Sequence, residues 1–338
     1  MAAVAARPSH GRNPIVAEDR RAGWVFVLPA MLIFLVFIFG AVAFAFYVSL
    51  HDYKLLQKGG IWQIFGHPGR TWVGFNNYRD IFNSTDFWIA FRNTCWYALG
   101  VVPAQTITGL VLAVLANRAI RGKTFFRTAF YFPSISSSVV ISVIFLWMYS
   151  ARGPINYALI KLGLPTPRPV WLANPRGIFA LALDKFGIEH VSVWLEGPSV
   201  ALLSIMMLNV WTTTGTMMVI FLAGLQNVPG DVYEAAALDG ATRFRMFRDI
   251  TVPLLKPVTA FVVTIGLIGT FQVFDQIWVM SEGGPAKKTT TLAYLVYLEG
   301  FRQGRGLGYA SAIAVILFVI ILILYFIQRQ FTEEQTKR

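Results

Sequence analysis

Five stretches of this chain run for more than twenty residues without an Asp, Glu, Lys or Arg: Trp24 to Leu50, Asn93 to Asn117, Thr128 to Ala151, Gly197 to Gly230 and Gly306 to Gln328. A sixth, Pro257 to Ser281, is interrupted only by Asp275. A helix needs about 20 apolar residues to cross the ~30 Å hydrocarbon layer. Backbone in lipid must also satisfy its own hydrogen bonds, which a helix does one segment at a time. The pattern predicts an all-α polytopic membrane protein with six transmembrane helices, at about 24–50, 90–117, 127–151, 199–226, 257–281 and 306–328. They form one domain, 22–330, between a cytoplasmic N-terminal arm, 1–21, and a cytoplasmic tail, 331–338. Composition fits that solvent, with 56% hydrophobic residues, 14% charged residues and a mean hydropathy of +0.57.

Orientation follows from Lys and Arg crowded into short loops. Arg118, Arg121, Lys123 and Arg127 between the second and third spans, and Arg20-Arg21 before the first, place those segments in the cytoplasm. The connection carrying Arg243, Arg245, Arg248 and Lys256 then also falls inside. The net charge of +12 reflects topology and anionic headgroups, so nucleic acid is not an expected partner. Ala41-Val-Ala43 resembles a signal cleavage site, but the apolar run before it exceeds a signal h-region, so the first span is expected to be retained. Cys95 is the only cysteine. His10, His51, His67 and His190 show no metal-ligand spacing and are expected at the surface. Gly122-Lys123-Thr124 looks like the end of a phosphate-binding loop, but position 117, where that loop needs glycine, is Asn.

On the opposite side lie loops at about 51–87, 152–196 and 282–305. The first contains Phe75 to Phe82, spaced for a short surface helix, and the second contains Ile178 to Leu183, too short to span a bilayer.

The segment 229–257 is a polar, basic interruption between two apolar runs. Asp231 is placed to cap a helix, with Glu234 completing a capping box. Ala235, Ala236 and Ala237 give that helix a small-residue face, and Asp239-Gly240 stops it, glycine being free to take the positive φ of a sharp turn. Phe244, Phe247 and Ile250 mark a second short helix that Pro253 and Pro257 redirect into the fifth span.

Glu234-Ala-Ala, Asp239-Gly240-Ala241, Phe247, Ile250, Pro253 and Pro257 resemble the "EAA" loop of permease subunits of binding-protein-dependent ABC importers. The likeness covers about 22 to 330, and is similar to the sugar-permease branch that includes maltose and glycerol-phosphate permeases. Trp72 to Tyr78, Arg127 to Pro133, Phe271 to Trp278 with Gly283-Gly-Pro285, and Leu307 to Ala312 support it. The resemblance implies the type I importer permease fold in a bacterial inner membrane and no catalytic residue. It implies a coupling role for Glu234, Ala235, Ala236, Asp239, Gly240 and Ala241. It implies four kinds of partner: a second permease subunit, two ATPase subunits that carry the ATP and Mg, an extracytoplasmic solute-binding protein, and a sugar, expected to be a di- or oligosaccharide; glycerol phosphate or another polyol is the alternative cargo. The chain departs from the family after Trp171-Leu-Ala-Asn-Pro175, where about 177–198 is an insertion expected to touch the binding protein or cap the pathway.

Polar groups inside spans mark the expected pathway, being costly unless they face a cavity or partner. On one continuous helix Gln272, Asp275 and Gln276 would share a side, beside an aromatic stripe of Phe271, Phe274 and Trp278. Asn209, Trp211 and Thr212 to Thr214 offer similar groups in the fourth span. A structural role for Asp275, pairing with a neighbouring helix, is the competing reading. No Lys or Arg lies within a span interior and Asp275 would repel an anion, which favours a neutral sugar. A membrane enzyme would need an intramembrane cluster of His, Asp or Glu, and a channel or ion-coupled transporter would need no docking loop.

Overall fold

The structure, a computed structural model, describes residues 14–54, 71–118, 122–166, 170–187, 192–302 and 305–336, with side chains described from 22 to 330. Every extended element among them is a helix, and two isolated β-bridges supply the remaining backbone pairing. Four helices are long and apolar enough to cross a bilayer unaided: α1 (Ala22–Ser49), α3 (Thr85–Asn117), α8 (Val200–Gln226) and α14 (Leu307–Gln330). Two further crossings are bent pairs: α4 (Lys123–Ile135) with α5 (Ser138–Met148) at 98°, and α10 (Arg243–Leu254) with α11 (Lys256–Phe271) at 65°. Counting each bent pair as one span gives the six that the apolar stretches demand. Short helices fill the connections: α2 (Asn76–Phe82), α6 (Pro154–Lys161), α7 (Ile178–Asp184), α9 (Gly230–Leu238), α12 (Asp275–Met280) and α13 (Leu292–Tyr297).

The third span bends because Ser136 and Ser137 take extended backbone angles between its halves. At about 1.5 Å per residue, the 13 residues of α4 reach about 20 Å and cannot cross alone. The fifth span also differs from the sequence expectation. Helix α11 ends at Phe271, and α12 restarts at Asp275, with Phe274 at φ −132° and ψ −60° between them. The uniform apolar character of 257–271 carries no sign of this break.

The core is built on α8, which packs along α3 and also against α4, α11 and α12. Small residues permit the approach: a Cβ at Gly109 would stand 2.7 Å from Met217 Cβ, and one at Gly215 would collide with the Phe130 carbonyl of α4. Tyr97, Leu202, Ile205 and Ile277 pack in one cluster, and Met218, Phe221, Leu255 and Val262 in another nearer the Glu234 loop. The second half of α1 packs against α14, whereas the first half, from Trp24 to Phe39, is exposed along its whole length among the described residues.

At the end remote from the Glu234 loop, segment 282–291 is tied down. Asn93 Nδ2 donates to the carbonyls of Lys287 and Thr290 at 2.9 and 3.0 Å. Lys287 Nζ pairs with Asp86 at 2.7 Å and Lys288 Nζ with Glu196 at 2.6 Å. The inserted segment leaves and re-enters through one neck, a bridge between Gly177 and Ser199, and its Ile178–Leu183 patch is the helix α7. The surface helix at 75–82 is α2, seated on its buried Ile81. His51 corrects an expectation: it is fully buried, with Nδ1 2.8 Å from the Tyr47 carbonyl and the ring 5.1 Å from Trp72. His10, His67 and His190 lie outside the described residues.

Candidate functional site

Two places in the molecule carry chemistry or mechanics that packing does not require: the protruding Glu234 loop and a cavity between the bent spans.

In the loop, α9 follows Pro229, the residue at its N-cap, and has no side-chain cap. The capping box expected from Asp231 and Glu234 is therefore absent; Asp231 sits in the first turn, where the helix dipole favours a carboxylate. The other end is closed as expected. Gly240 takes φ +76°, Gly240 N donates to Ala237 O at 3.1 Å and Ala241 N to Ala236 O at 2.9 Å, the paired bonds of a Schellman turn. Thr242 Oγ1 then accepts from Arg245 N at 3.3 Å to open α10, a cap that the sequence reading missed. A π turn, Phe247–Thr251, carries α10 onward, and Tyr233 Oη meets Thr251 Oγ1 at 3.0 Å, bracing α9 against it. No residue of α9 is buried. Glu234, Ala235, Ala236, Asp239, Gly240 and Ala241 thus sit together on a projection, with Leu238 89% and Phe244 72% exposed beside them. An apolar knob so exposed, on a segment whose own geometry is fixed, has the form of a docking element.

The cavity, about 350 Å³, opens where the bent third span meets α8, α11 and α12. Its polar lining comprises Gln105, Asn209, Gln276 and a series of hydroxyls that includes Ser134, Ser136, Thr213 and Thr270. None of its lining residues is titratable. Gln276 Oε1 accepts from Tyr97 Oη at 2.9 Å and from Asn209 Nδ2 at 3.0 Å, joining α3, α8 and α12 at one carbonyl. Ser134 Oγ donates to Thr212 O at 2.6 Å and accepts from Thr216 N at 3.2 Å, which anchors the bend to one turn of α8. The walls thus hold fixed hydrogen-bonding groups of both senses and no net charge, a surface matched to hydroxyl groups.

The residues expected along the pathway divide. Asn209 reaches the cavity. Trp211 instead faces an apolar groove of about 800 Å³ with Ile107, Phe130 and Met207, its ring 5.5 Å from Phe145. The shared helical side drawn for Gln272, Asp275 and Gln276 is corrected by the break at 272–274: Gln272 and Asp275 are exposed and only Gln276 lines the cavity. Of the expected aromatic stripe, Phe274 and Trp278 stack with centroids 6.0 Å apart and Tyr297 joins them at 5.3 and 6.4 Å, outside the cavity, whereas Phe271 is buried in a separate cluster with Leu292 and Ile313. Gln105 was missed. A carboxamide in the interior of the run bounded by Asn93 and Asn117 was the available signal.

Comparison with known proteins agrees with this architecture. Residues 105–335 match the family described as "Binding-protein-dependent transport system inner membrane component". The chain is 31% identical over 306 residues to the trehalose/maltose transport system permease protein MalF of Thermococcus litoralis, covering 90% of this chain and 91% of that protein. It is 30% identical over 309 residues to the lactose transport system permease protein LacF of Rhizobium radiobacter, covering 90% and 92%. Its fold matches a chain from a bacterial ABC transporter involved in the import of the acidic polysaccharide alginate, with a TM-score of 0.71 at 21% identity over 95% of this chain and 99% of that one. With more than half its length matched by the family and an inner-membrane permease architecture throughout, the chain belongs to the binding-protein-dependent transport system inner membrane components.

Proposed function

We propose that this chain is a permease subunit of an ATP-driven ABC importer for a neutral sugar. The observation that carries the reading is the cavity, whose walls offer amide and hydroxyl groups and no titratable side chain. Sugar hydroxyls both donate and accept, and an uncharged lining serves them without burying an unpaired charge. The trehalose/maltose and lactose transport names of its relatives support the same cargo class. Glycerol phosphate fits less well, since a phosphate would meet no cation in this cavity.

The remaining parts follow from that role. The Glu234 loop faces the cytoplasm, as do both termini, and seats in one of two ATPase subunits that bind the ATP and Mg. A second permease subunit completes the pathway, and a solute-binding protein delivers the sugar at the far end. Asn209 contacts the sugar in the cavity, while Gln272, Phe274, Asp275 and Trp278 line its approach. The test is uptake by the full importer reconstituted in vesicles with its binding protein. Maltose, trehalose or lactose is expected to accumulate with ATP, and glycerol phosphate not to compete. Accumulation of the phosphorylated solute alone would overturn the proposal.

A further inference from the structure

Gln105 is buried to 1% exposure in the middle of α3, and its Nε2 atom has no hydrogen-bond partner among the described residues although the residue lines the cavity. A buried unpaired amide is unfavourable, and native structures rarely keep one without a use. The other amide atom is held: Thr213 Oγ1 lies 2.7 Å from Gln105 Oε1 and also 2.8 Å from the Asn209 carbonyl. A hydroxyl has one proton to give. If it goes to Gln105, the buried amide nitrogen, packed beside Gly266 at the cavity's edge, is left unpaired. If it goes to Asn209, the amide turns over, donates to Thr213 and leaves its oxygen free instead. Either way one atom of the carboxamide has no partner among the described residues. Gly266 on α11 keeps the space open, because a Cβ there would collide with that nitrogen.

We infer that Gln105 is a specificity-determining residue that pairs with one hydroxyl of the transported sugar. An alcohol can serve either orientation of the amide, since it donates or accepts, whereas an ether, a halide or a methylene cannot. The inference rests on the proposed sugar-importer role and adds to it a named contact from the second span.

The experiment compares uptake of a parent sugar with its set of singly deoxygenated derivatives. The complete importer is used in vesicles, each solute is presented on saturated binding protein, and the parent is whichever of maltose, trehalose and lactose the wild type takes up. One derivative is expected to be taken up about tenfold more slowly than the parent by the wild type. In Gln105→Met that penalty shrinks to about onefold, while the penalties at other hydroxyls stay as they were. A merely structural glutamine would slow every solute alike. Should Gln105→Met fail to assemble, Gly266→Ala displaces the amide from outside and is expected to remove the same single penalty. Penalties unchanged in both variants overturn the assignment of Gln105 alone. A wild type that takes up none of the three sugars overturns the sugar reading, and the assignment falls with it.

Discussion

Gly240 has open space around the position where a Cβ would stand, so only its φ of +76° resists substitution. A β-branched residue there is disfavoured by about 1–2 kcal/mol, and asparagine by less. Gly240→Val is expected to open the turn between α9 and α10 and lower ATP hydrolysis stimulated by loaded binding protein several-fold, with Gly240→Asn intermediate. Thermal unfolding of the spans should not move, because the turn is exposed. Glu299 offers a second residue-scale test, in the outer segment before α14. Its side chain is 2% exposed and Arg305 Nε stands 3.8 Å away, beyond hydrogen-bond reach. Burial pushes its carboxyl above the usual range, with Arg305 pulling the other way. A raised folded pKa means that the native state holds the proton more tightly, so stability falls as pH rises through that window. Glu299→Gln should therefore unfold at a higher temperature than the wild type at neutral pH, and the gain should vanish at a pH below the free carboxyl value. Arg305 keeps its 2.8 Å bond to Tyr309 Oη in either case. At this scale the loop glycine was legible in the sequence, because positive φ has few residue solutions. The burial of His51 and Glu299 was not, since it depends on chain segments far away in sequence.

At the scale of elements, the apolar stretches gave the number of crossings but not their shape. A helix apolar on every side has no amphipathic period to interrupt, so a bend leaves the hydrophobic pattern unchanged. Pro133 and the serines at 136–138 were the local signs in the third span, and the break at 272–274 contains neither Gly nor Pro. For that reason the cavity, which the two breaks help to shape, was legible only in part: Asn209 was named, Gln105 was not. The inserted segment yields a prediction here. Removing 178–196 would leave Gly197 and Pro198 to connect the bridged Gly177 and Ser199, a connection of the length that closes a tight hairpin. The shortened chain is expected to insert and assemble normally, and to bind the solute-binding protein more weakly for want of Glu196 and its neighbours. Equal affinity would remove the segment from the docking surface.

Among the described residues, the molecule has the exposed Glu234 loop at one end and most of its ion pairs at the other. A chain built this way is expected to hold an ATPase subunit through a single projection. Co-expression with its ATPase followed by detergent purification should therefore recover the two together, and deletion of 231–241 should separate them while leaving the spans folded. The cavity between these ends has an electrical consequence. Moving one elementary charge through 100 mV involves about 2.3 kcal/mol, so a charged cargo or a charged binding site would make import depend on the membrane potential. Here an uncharged solute would pass walls that carry no titratable group. Uptake at fixed ATP should then be the same whichever sign of diffusion potential is imposed on the vesicles, leaving the free energy of hydrolysis to work against the concentration gradient alone.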